Sequence, residues 1–126
     1  MSISSHHVLV VDDDENIRTI VDLSIRTFGK CEVTLASSGR QALELVHRND
    51  YDLIVLDVMM PDLDGPATLA EMKRADPCFC TPVAFLTARA QKSDAEYLRG
   101  IGASGVITKP FDPTQLVTDL CRIVGV

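Results

Sequence analysis

The sequence predicts an α/β fold: a parallel five-stranded sheet with five helices on both of its faces. Three observations lead there. Short apolar runs rich in β-branched residues alternate five times with segments of helical periodicity. The runs at 53–56 and 83–86 are apolar at every position, as in strands covered on both faces. The 126 residues hold no internal repeat, linker or low-complexity stretch, so they suit one domain, expected over 1–126 with a core over 8–124.

Each element follows from its own residues. The first strand is the run 8–11. Ile17, Ile20, Val21, Ile25 and Phe28 then recur at helical spacing, and Gly29 stops the helix. Cys31, Val33 and Leu35 alternate with Glu32 and Thr34, which predicts a half-exposed edge strand. Ser38 and Gln41 form a capping-box pattern ahead of Ala42, Leu45 and Val46. The run 53–56 is the central strand, and the loop MPDLDGP follows it. Pro66 suits the first turn of a third helix carrying Leu69 and Met72, which Asp76-Pro77 ends. The run 83–86 is the fourth strand. Ser93 and Glu96 offer a second capping box before Tyr97, Leu98 and Ile101, and Gly102 closes that helix. A short strand at 106–108 precedes a last helix, opened by Asp112-Pro113 and carrying Leu116, Val117, Leu120 and Val124.

Composition narrows the function. Apolar residues make up 46%, which argues against disorder. A net charge of −6 disfavours nucleic acid and anionic membranes as direct partners. No apolar run reaches the ~18 residues of a membrane span, and the opening MSISSHH has no apolar targeting core, so a cytoplasmic location is expected. Cys31, Cys78, Cys80 and Cys121 are read as ordinary thiols. The spacing of CFC is poor for zinc, His6 and His7 fall in an end expected to fray, and His47 stands alone.

In open parallel sheets, sites form beyond the carboxyl ends of the strands. Asp12 and Asp13 end the first strand, Asp57 the third, Thr87 the fourth and Lys109 the fifth. Residues far apart in sequence should therefore converge on one rim. Carboxylates gathered in one place repel unless a cation binds, and hard oxygen ligands suit Mg²⁺, with Mn²⁺ possible. A lysine and a threonine add a point charge and a hydroxyl for a phosphate group. A carboxylate can act as nucleophile toward phosphorus. Asp57 is the candidate, because it ends the most buried strand. Asp14 is expected to cap the first helix, with Glu15 favourable to its dipole.

Two partial motifs are set aside. Residues 60–71 fit a calcium loop at Asp62, Asp64, Gly65 and Glu71, but the first ligand place holds Met60 and Pro61 follows it. DDDEN is close to a haloacid dehalogenase signature, but its last place holds Asn16 and the chain lacks length for the usual cap.

With VLVVDD, DLIVLDVMMPDLDG, FLTA and GASGVITKPF in order, the chain resembles the receiver domain of two-component response regulators over 8–124. The resemblance implies a flavodoxin-like sheet in the order 2-1-3-4-5. It also implies a phosphoacceptor rather than an enzyme, with self-phosphorylation and slow self-dephosphorylation chemistry. Asp57 would take a phosphoryl group from a histidine kinase or histidine phosphotransfer protein. Asp12, Asp13, Asp57 and the backbone carbonyl of Met59 would hold Mg²⁺. Thr87 and Lys109 would contact phosphoryl oxygens, Ala88 would leave them room, and Lys109-Pro110 would be cis. Arg89 and Met59 fall where the family tunes water access. Val106 stands where the family usually has Tyr or Phe, and a β-branched aliphatic cannot swing as a ring does. The last helix carries Arg122 as its one basic residue, thin for the salt-bridged dimers of winged-helix regulators, so a monomer is expected. The alternatives are a small Mg²⁺-dependent phosphohydrolase and a pseudo-receiver that binds partners without phosphorylation. The downstream partner is not legible.

Overall fold

The order of elements is β1 (His7–Val11), α1 (Glu15–Ser24), a π-helical turn (Ile25–Gly29), β2 (Glu32–Ala36), α2 (Gly39–Arg48), β3 (Leu53–Asp57), α3 (Gly65–Ala75), β4 (Val83–Thr87), α4 (Lys92–Gly100), β5 (Gly105–Thr108) and α5 (Pro113–Val124). This is a computed structural model that describes residues 6–89 and 91–125. The sequence reading of residues 1–5 and the outer limits of the expected domain lie outside the described residues. The sheet order is β2-β1-β3-β4-β5, with every pair parallel.

Alternation along the strands builds two cores, one on each face. Val8 and Val10 of β1 join Val55, Ala84 and Leu86 in packing against Val21 of α1 and Leu116 and Leu120 of α5. Leu9 and Val11 join Ile54, Leu56 and Phe85 against Ala42 of α2, Leu69 and Met72 of α3 and Leu98 of α4. β3 and β4 are buried at every position. Each large apolar side chain so covered contributes roughly 1.5–3 kcal/mol. That rigidity is what holds the strand ends in register.

Caps fix where the helices start. Asp14 accepts hydrogen bonds from the N–H groups of Asn16 and Ile17, as expected of it. Asp64 and Asp112 cap α3 and α5 in the same way, each ahead of a proline in the first turn. Ser38 accepts from the Gln41 N–H, but the Gln41 side chain reaches back to the Ser37 N–H, one residue beyond a strict capping box.

Several local expectations are revised. α4 begins at Lys92 with Gln91 as its cap and no side-chain cap bond, so Ser93 lies inside the helix. Phe28 is exposed, because the π-turn after Ser24 rotates the last residues out of the amphipathic stripe, and Ile20, within α1 ahead of that turn, is exposed as well. The left-handed residue that ends this segment is Lys30, after Gly29. Leu35 is exposed although it alternates with Val33, since β2 lies at the sheet edge. Arg26 donates to the Val33 carbonyl at 3.0 Å and so occupies part of that edge. His7 is not frayed: its ring lies 2.6 Å from the Thr34 hydroxyl and edge-on to Tyr51, and its N–H donates to Asp52.

Candidate functional site

The carboxyl ends of β1, β3, β4 and β5 bring the expected residues together. β1 and β3 run side by side with Val11 opposite Leu56, so the residues that follow, Asp12 and Asp57, are neighbours at the same rim. β5 lies two strands beyond β3, past β4, and Lys109 reaches back across the end of β4. Its Nζ is 3.0 Å from Asp57 Oδ1 and 3.1 Å from Asp12 Oδ2. Asp12 and Asp57 are buried while Asp13 is exposed. One oxygen from each of the three carboxylates lies within 4.8 Å of the other two.

The loops hold these groups by main-chain bonds. The Asp14 N–H donates to Asp12 Oδ1 at 2.9 Å, which aims that carboxylate. The Lys109 N–H donates to the Thr87 carbonyl at 2.7 Å, just before a cis Lys109–Pro110 peptide. Thr87 is buried, and its hydroxyl accepts the Arg89 N–H at 3.0 Å. Ala88, Arg89 and Met59 are exposed around the opening. Val106 is half-buried and lines a groove of about 530 Å³ along β5, with Arg99, Phe111, Gln115 and Ile123 among its walls.

Electrostatics follow from burial. Loss of water pushes the Asp57 carboxyl up from its ordinary 3.8 to about 6. The Lys109 ammonium and the Met59 N–H pull the other way, and the neighbouring Asp12 charge adds to the rise. Burial alone would lower Lys109, but its hydrogen bonds to Asp57 and Asp12 hold it above its ordinary value. Three carboxylates against one ammonium leave two negative charges in a partly dry site. That surplus and the all-oxygen donor set fit a small hard dication, whose ligands stand at about 2.0–2.1 Å. Asp12, Asp13 and Asp57 would supply the carboxylates.

Two participants are invisible to sequence spacing. Arg18, one turn into α1, donates to the Asp12 carbonyl at 2.7 Å and pins the turn that carries the acidic pair. Gly65 allows α3 to start against the back of the site: a Cβ there would lie 2.4 Å from the Asp57 carbonyl and 2.8 Å from the Phe85 ring. Gly65→Ala should therefore cost about 1–3 kcal/mol by overpacking, read from urea unfolding. Unchanged stability would mean that α3 can shift at no cost.

Comparison with known proteins agrees with this geometry. The family model "response regulator receiver domain" matches residues 8–120. Response regulator SaeR of Staphylococcus aureus is 39% identical over 111 residues, covering 88% of this chain and 47% of that protein. The chain thus spans about half the length of the curated relatives it matches. Among solved structures, the chemotaxis response regulator CheY4 of Vibrio cholerae is similar with a TM-score of 0.87 and 31% identity, over 95% of this chain and 99% of that one. The receiver domain of Francisella response regulator 1452 gives 0.85 and 31%, over 96% and 98%. No helix among the described residues is long and apolar enough to cross a membrane.

Proposed function

The chain belongs to the response regulator receiver domain family of two-component systems, and from that premise we propose that Asp57 is its phosphoacceptor. The observation that carries the reading is the Lys109 ammonium bonded to both buried carboxylates at the rim. The donor is a phosphohistidine on a histidine kinase or phosphotransfer protein. An Asp57 oxygen attacks phosphorus, the P–N bond breaks, and its electron pair leaves with the imidazole. An acyl phosphate on Asp57 results. Lys109 offsets charge on the transferred group, and the Thr87 hydroxyl donates to one of its oxygens. Exposed Ala88 leaves the entry open. When bound, Mg²⁺ supplies further charge neutralisation, held by Asp12, Asp13, Asp57 and the Met59 carbonyl. The single domain over 1–126 is the unit that carries this site, and it works as a signalling switch.

Readout in this protein does not rest on a rotating ring at position 106. A β-branched valine there cannot swing as a ring does, and it lines the groove beside β5.

The test is incubation with acetyl phosphate and Mg²⁺, followed by mass spectrometry of the intact chain and its peptides. One phosphoryl group on the peptide holding Asp57, lost slowly on standing, is expected. Multiple turnover of a phosphoester with no adduct would instead mark a phosphohydrolase. No adduct and no turnover would mark a pseudo-receiver.

A further inference from the structure

The four cysteines divide sharply by environment. Cys31, just ahead of β2, and Cys121, on α5, are buried in one core, and burial pushes the Cys31 thiol up. Cys78 and Cys80 are exposed in the connection from α3 to β4, with Phe79 between them. That connection is held in place. The Cys78 N–H donates to the Asp76 carboxylate at 2.9 Å, and the Phe79 N–H closes a turn onto the Asp76 carbonyl at 2.9 Å. Phe79 is half-buried and packs on the core under α3 and α4. Two residues after Cys80, the Pro82 carbonyl accepts the Ile54 N–H at 3.0 Å. The chain is thus anchored before, between and after the two cysteines, while both thiols face water. Residues two apart cannot be separated by more than about 7 Å, close to the upper end of the Cα spacing of disulfides, about 4.4–6.8 Å.

We propose that Cys78 and Cys80 form a dithiol site that undergoes thiol–disulfide exchange as a pair, closing to an internal disulfide at the foot of β4. The co-reactant is a low-molecular-weight disulfide, R–S–S–R. One cysteine thiolate attacks a sulfur of R–S–S–R, whose S–S bond breaks, giving a mixed disulfide and releasing RS⁻. The second thiol gives its proton to solvent and attacks the cysteine sulfur of the mixed disulfide, releasing the second RS⁻. Two protein thiols are oxidised to one disulfide, and one R–S–S–R is reduced to two thiols. Exposure makes the bond reducible by the reverse steps, as for other exposed disulfides. The pair lies at the amino end of β4, while Thr87 and the acidic rim lie at its carboxyl end. The exchange therefore adds a second reactive site at the opposite pole of the sheet from Asp57.

The test uses the folded full chain with oxidised glutathione as probe, quenched by alkylation and read by intact mass and peptide mapping. The expected product has lost two hydrogens, carries a Cys78–Cys80 link, and is restored by dithiothreitol. Cys31 and Cys121 should be alkylated only after denaturation. Cys78→Ser and Cys80→Ser, both at exposed positions, should each stop at a stable glutathione adduct. A wild type that stops at glutathione adducts, links two chains, or resists oxidation would overturn the proposal.

Discussion

Asp57→Asn is expected to lose all phosphoryl labelling and, without divalent cation, to melt above the wild type. The first result follows from replacing a carboxylate nucleophile by an amide. The second follows from the cost of keeping Asp57 charged in its site. Its carboxyl is raised from 3.8 to about 6, chiefly by burial and despite Lys109. The folded state therefore binds more protons than the unfolded state between those values. Its contribution to stability is fully present below about pH 4 and is lost as pH rises through about 6. At roughly 1.4 kcal/mol per pKa unit, the charged site costs on the order of 3 kcal/mol at neutral pH. Asparagine keeps the shape and removes the charge. The gap in Tm between variant and wild type should thus be wide at pH 7.5 and close near pH 4. Added Mg²⁺ should narrow it at pH 7.5, because it stabilises wild type by about 2.7 kcal/mol at a hundred times its Kd and the variant by less. Melts that coincide at pH 7.5 in EDTA would show that the Asp57 charge is not held at a cost.

Lys109→Met should have the opposite sign. It leaves Asp12 and Asp57 buried side by side with no ammonium between them. Removing one partner from a buried charge cluster typically costs about 3–5 kcal/mol, and this site's partial access to water puts the loss near the lower figure. Asp57 can relieve the repulsion by taking up a proton, so the loss should shrink as pH falls from 7.5 to 5. Mg²⁺ should also restore part of it. In the double variant with Asp57→Asn, the cost of losing Lys109 should fall well below its cost in the wild-type background. Urea unfolding of the four proteins at both pH values measures this coupling. A Lys109→Met protein as stable as wild type at pH 7.5 in EDTA would mean that the ammonium does not balance the carboxylates.

Much of this protein is legible in its sequence, and the reason is physical. Strand and helix carry different periods, so alternating runs announce five βα units without reference to tertiary contact. Position follows too, because a parallel sheet places every strand's carboxyl end at one rim, where Asp12, Asp13, Asp57, Thr87 and Lys109 were expected. Val106, read from the sequence as the place lacking a ring, lines an open groove. Local chemistry beyond that is less legible. Ser93 and Glu96 match a capping box, yet α4 starts at Lys92, so Ser93 is already helical. Phe28 fits an amphipathic stripe, yet a π-turn carries the chain out of phase before it.

The sequence by itself determined the order of elements and the acidic and basic groups at the rim, since these depend on residue type and period alone. Tertiary structure decided which carboxylates are dry, which ammonium lies between them, and what the loops permit. Asp12 and Asp13 are adjacent and identical in sequence, but one is buried and the other exposed. The turn that separates them is pinned by Arg18 from the neighbouring helix. Burial and hydrogen-bond geometry are sums over contacts from distant parts of the chain, and no local pattern encodes such a sum.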